Sequence, residues 1–87
     1  MKKVTVFSTQ FCGYCVRAKQ LLQQRGIPFV EIGVDRDPEQ RRLMVEKSGR
    51  QTVPQIWIGD SHVGGFEELW ALDREGKLTA LVEDETQ

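Results

Sequence analysis

The feature that most limits how this chain can fold is an abrupt change of period. Residues 2–8, "KKVTVFS", alternate and are rich in β-branched side chains, the pattern of a strand ending near Ser8. From Gly13 to about Arg25, "GYCVRAKQLLQQR" is a run of helix formers with Cys15, Ala18 and Leu22 on one stripe. Gly26 supplies a C-terminal stop, Pro28 follows, and "PFVEIGV" reads as a second strand. A strand, a crossover helix and a strand in this order make the two strands parallel, in a right-handed unit. The junction between the first strand and the helix holds the only two cysteines, Cys12 and Cys15.

The rest of the chain completes a sheet. Asp37 is placed to cap a helix with Pro38 at its first position, running through roughly Lys47. "SGRQTVP" is a turn-rich loop, "QIWI" a short apolar strand, and "GD" a hairpin turn into "SHVG". Phe66 to about Glu75 reads as a last helix, with Phe66, Leu69, Trp70 and Asp73 at helical spacing. A further short helical turn from Lys77 and a polar end that frays are expected. Trp57 and Trp70 fall on apolar faces and are assigned to the core or its margin. The economical solution is an α/β fold, a four-stranded mixed sheet with helices on both faces, which is the thioredoxin-like arrangement.

With 87 residues, a single domain spanning 1–87 is expected. A net charge of −1 argues against nucleic acid as a partner, because phosphate tracking needs basic surface. The apolar stretch "VTVF" is far too short for a signal-peptide core or a membrane span, so no membrane association and a cytoplasmic location are expected. In a reducing compartment, a lone CxxC is catalytic or metal-binding rather than a permanent staple.

Cys12 sits beside a helix N-terminus, where unpaired N–H groups and the positive dipole end favour an anion. A thiolate is the species that attacks disulfides. Cys15 lies one turn on, deeper on the apolar stripe, where a thiolate is less favoured. Cys12 therefore attacks and Cys15 resolves. Arg17 and Lys19 add positive potential nearby or are simply solvated. A structural zinc ion needs four ligands, and beyond the CxxC the chain offers His62 and carboxylates, with His62 read as an ordinary hairpin residue.

Two further motifs flank this pair. Pro54, in Thr52-Val53-Pro54, marks a strand start or a cis bond; a cis bond would turn the Val53 backbone outward to pair with an extended peptide. Gly64-Gly65 is a turn, or a place where a ligand lies against bare backbone. Just after it, the N–H groups of Phe66 and Glu67 form a natural carboxylate seat. Glu67 and Glu68 either receive an ammonium group or complement the helix dipole.

Together "CGYC", "TVP" and "GGFEE", extended by "SGRQTVPQIWI" and "WALDREGKL", resemble the small dithiol glutaredoxins of bacterial type, from Val4 to about Leu81. The resemblance implies a thioredoxin fold, a cis Pro54 and glutathione as co-substrate. It implies that Cys12 takes the glutathionyl group from a mixed disulfide, while Cys15 closes a Cys12–Cys15 disulfide when protein disulfides are reduced. It also implies a glutathione seat. The cysteinyl backbone would pair with Val53 between Thr52 and Pro54, the glycyl carboxylate would meet Arg41, and the γ-glutamyl end would meet Phe66 and Glu67 after Gly65. Tyr14 would flank the bound sulfur. Partners would be glutathione and disulfide-bonded or glutathionylated proteins, with the chain a monomer.

Two departures matter. Gly13 stands where proline is commoner, which loosens the helix start and resembles members that hold a [2Fe-2S] cluster between two chains. There Cys12 of each chain and two glutathione thiols would complete four thiolates in a homodimer. A redoxin coupled to thioredoxin reductase is a third reading, opposed by Arg41, Phe66 and Glu67. The other departure is Thr9, where relatives commonly carry lysine. Its absence implies weaker glutathione binding or a less stable Cys12 thiolate. Thr9→Lys is expected to strengthen glutathione kinetics, and unchanged kinetics would refute this role for the position.

Overall fold

The computed structural model describes residues 2–83, so the polar end expected to fray lies outside the described residues. Its elements are β1 (Val4–Ser8), α1 (Gly13–Gln24), β2 (Val30–Gly33), α2 (Pro38–Ser48), β3 (Gln55–Ile58), β4 (Ser61–Gly64), α3 (Phe66–Arg74) and α4 (Leu78–Glu83). The strand order is β2-β1-β3-β4. β1 runs parallel to β2 and antiparallel to β3, and β3 runs antiparallel to β4. One irregularity interrupts the last pair. Ile56 faces Gly64 but Trp57 faces His62, so Val63 is an extra residue in β4.

The period-two alternation of the strands sorts their side chains onto two faces. Val4, Val6, Ile56 and Ile58 point to one face, where α1, α3 and α4 supply Ala18, Leu22, Leu69, Leu78 and Val82. Phe7 and Trp57 point to the other, against Met44 of α2 and Val34. The expected stripe of α1 is buried in full at Cys15, Ala18 and Leu22. Asp37 caps α2 as expected, its side chain accepting from Gln40 N at 3.2 Å. No described helix is long and apolar enough to cross a membrane.

Trp70 departs from its expected core position. The residue is 45% exposed, and its ring lies under the Arg74 guanidinium, 4.7 Å from the ring centroid. α3 turns Leu69 fully inward, and successive helical residues are about 100° apart, so Trp70 is carried off the buried stripe. Asp73 does face inward, but to an ion pair. Arg25 at the end of α1 grips it with Nε at 2.7 Å and a second nitrogen at 2.8 Å. This two-point bond ties the helix that carries both cysteines to α3.

The Arg25 bond holds the Asp73 carboxyl below its usual value of 3.8. A lowered carboxylate contributes stability above that value and loses it as pH falls through the folded-state range. The stability gap between wild type and Asp73→Asn is expected to shrink as pH drops from about 6 to about 2.5. Urea unfolding across that range checks it, and a constant gap would refute it.

Candidate active site

Cys12 is the N-cap of α1, with an extended backbone at φ −142° and ψ 108°. Its Sγ takes the place of a capping oxygen and accepts the Cys15 backbone N–H at 3.1 Å. On its other side the Cys12 Sγ lies 3.7 Å from the Val53 carbonyl, to which the thiol donates. Both cysteines are free thiols, Cys12 half-buried and Cys15 buried.

The two thiols are unequal for a physical reason. Burial pushes the Cys15 thiol up to about 12, helped by its hydrogen bond to Cys12 and by the neighbouring Cys12 charge. The Thr9 backbone and the Lys19 charge act the other way. Lys19 itself is paired with Glu31 at 2.8 Å, and Arg17 lies over the Tyr14 ring, 5.6 Å from its centroid. The cations of α1 are thus engaged by side chains other than Cys12.

A cavity of about 370 Å³ is lined by Val53, the residue whose carbonyl lies 3.7 Å from Cys12 Sγ. Thr52, Val53 and Pro54 form one wall, and the Val53–Pro54 bond is cis. Tyr14 and Phe66 lie at its apolar side, their ring centroids 6.2 Å apart. Gly65 and Glu67 complete the opposite wall at the start of α3. A Cβ on Gly65 would lie 3.4 Å from the Pro54 carbonyl, so the start of α3 comes close to contact with the Pro54 backbone. The structure therefore gathers Tyr14, Thr52, Val53, Pro54, Gly65, Phe66 and Glu67 around one cavity.

Arg41 does not line it. Its guanidinium donates to the Gln51 carbonyl at 3.1 Å and braces the loop behind the wall. The cation at the cavity is Arg50, which sequence reasoning passed over inside "SGRQTVP". Glu67 and Glu68 also prove unequal. Glu68 reaches back to accept the Gly65 N–H at 2.6 Å and pairs with Arg50 at 3.3 Å. Those contacts, the Gly65 bond first, hold its carboxyl below the usual range. Its spacing of three residues after the N-cap is the sequence signal for this role. Thr9 lies elsewhere, in a polar depression with Lys19 and Glu31.

The arrangement is a half-buried thiol on a helix tip, a buried second thiol one turn behind it, and a groove with exposed backbone close by. The glutaredoxin family model matches residues 4–63. The chain is 54% identical to the glutaredoxin of Pseudomonas aeruginosa, over 94% of this chain and 98% of that protein. The solution structure of glutaredoxin from Brucella melitensis is similar with a TM-score of 0.87 and 46% identity, covering 100% of this chain and 95% of that one. A buckwheat glutaredoxin solved in complex with glutathione is similar with a TM-score of 0.84 and 33% identity, covering 91% of this chain and 74% of that one.

Proposed function

Since the chain belongs to the glutaredoxin family and has the thioredoxin fold, we propose that it reduces glutathione mixed disulfides and protein disulfides with glutathione as electron donor. The observation that carries the proposal is the Cys12 Sγ capping α1 while Cys15 lies buried behind it. Cys12 attacks the glutathionyl sulfur of a mixed disulfide, and the target leaves as a thiolate that takes up a proton. The thiolate of a second glutathione then attacks the bound glutathionyl sulfur, releasing Cys12 and glutathione disulfide.

With a protein disulfide, Cys12 forms a mixed disulfide to the target. Cys15 then attacks the Cys12 sulfur, loses its proton and closes the internal disulfide, and the target departs fully reduced. Two glutathiones restore the dithiol and are oxidised to one glutathione disulfide. The charge on Cys12 is one of the causes that hold Cys15 in its thiol form. Once Cys12 is in a mixed disulfide that charge is gone, which removes one of the lesser causes, while burial still raises the Cys15 thiol.

The tripeptide would lie in the groove with its cysteinyl backbone against Val53 and its γ-glutamyl end at Phe66 and Glu67. Its glycyl carboxylate would be met by Arg41 or by Arg50, the cation that lines the cavity. The reading places the chain in a reducing compartment such as the cytoplasm, as a monomer acting on glutathionylated and disulfide-bonded proteins.

A glutathione-coupled reduction assay tests the roles. Cys12→Ser is expected to abolish activity, while Cys15→Ser keeps turnover on glutathionylated substrate and loses it on protein disulfides. Activity retained by Cys12→Ser would refute the assignment.

A second reading, a [2Fe-2S]-bridged homodimer, draws on the accessible Cys12 and on the open space around Gly13. With Cys15 buried, each chain offers one thiolate, so two chains and two glutathione thiols would hold the cluster. Anaerobic assembly with iron, sulfide and glutathione is expected to yield a brown dimer if this holds; a colourless monomer refutes it.

A further inference from the structure

Ser8 and Gln55 are the polar side chains that the fold buries among the described residues. Gln55 is the first residue of β3, immediately after Pro54, and its carboxamide is bonded on both sides. Its Nε2 donates to the Thr52 carbonyl at 2.9 Å and to Thr52 Oγ1 at 3.2 Å. A carbonyl oxygen only accepts, so the NH₂ group must face Thr52. The amide oxygen then faces His62 Nε2 at 2.7 Å. An oxygen there needs a donor, which requires a proton on His62 Nε2.

His62 is itself held in place. The extra residue Val63 brings His62 opposite Trp57, and the imidazole lies against the indole with centroids 4.6 Å apart. Burial, then the Arg50 charge, lowers the tendency of the ring to take a second proton. Either protonation state keeps the Nε2 proton that the contact with Gln55 requires. A continuous chain of bonds thus runs from the β4 hairpin through His62 and Gln55 to Thr52. The next residue, Val53, has its carbonyl 3.7 Å from Cys12 Sγ.

From this geometry we infer that Gln55 and His62 are positioning residues that brace the Thr52–Val53 backbone where a glutathionyl peptide pairs with it. The inference deepens the glutathione reading and rests on it for the identity of the peptide. Neither side chain needs to touch the reacting sulfurs. Their effect is specific to substrates that use the peptide backbone, because an undirected wall leaves attack by Cys12 intact but loses the aligned partner.

The test compares rates of Cys12 attack on one peptide carried as its glutathionyl or its cysteinyl mixed disulfide. The cysteinyl form has no tripeptide backbone to align. His62→Phe keeps a ring against Trp57 but removes the donor; His62→Gln restores an N–H near the same place. His62→Phe is expected to lower the glutathionyl-to-cysteinyl rate ratio about fivefold or more, the scale of losing one bond to a buried acceptor, and His62→Gln to recover most of it. A ratio unchanged in His62→Phe, or lowered equally in both variants, overturns the inference.

Hydrogen exchange of the Gln55 carboxamide in the wild-type protein gives a second measurement that does not depend on the variants folding or on glutathione. Protection relative to exposed Gln23 supports the brace, and equal exchange overturns it. A wild type with no preference for the glutathionyl peptide would refute the glutathione reading, while the exchange result would still judge the brace.

Discussion

One hydrogen bond organises the site: the Cys15 backbone N–H donating to the Cys12 Sγ at 3.1 Å. The first turn of any helix leaves N–H groups without intrahelical acceptors. Here sulfur replaces the serine or aspartate oxygen that usually answers them. The same contact therefore ends the loop and starts α1. It holds only because α1 is seated firmly, by Ala18 and Leu22 against the sheet and by Arg25 on Asp73.

The second organising fact is the inequality of two chemically identical thiols. They are three residues apart, yet one caps a helix at the surface and the other lies 1% exposed on its buried stripe. Burial is the largest cause of the difference at Cys15, and coupling to Cys12 follows. Depth thus separates them: the outer sulfur is half-buried at the helix tip, and the inner one is sealed behind it.

Much of this was legible in the sequence. The β-α-β-α-β-β-α order, the cap at Asp37, the stop at Gly26 and the stripe of α1 follow from local period and from residues with strong backbone preferences. Trp70 was misplaced because spacing identifies a stripe but not its rotation about the axis. Leu69 and Trp70 are adjacent apolar residues, and packing against the sheet chose Leu69. Arg50 and the Gln55–His62 contact escaped for a different reason. The first meets Glu68 across eighteen residues, and the second depends on the irregular register between β3 and β4.

The chain's own order of residues determined which elements form and where the two thiols stand on α1, since both are matters of helical and strand period. Tertiary structure alone decided what those thiols face. The close approach of Gly65 to Pro54, the choice of Arg50 for the cavity and Arg41 for the loop, and the seating of Val53 beside Cys12 all arise from packing distant segments against one sheet. Contacts of that kind are set by how side-chain volumes and buried polar groups are jointly satisfied, a condition on the whole fold rather than on any stretch of it.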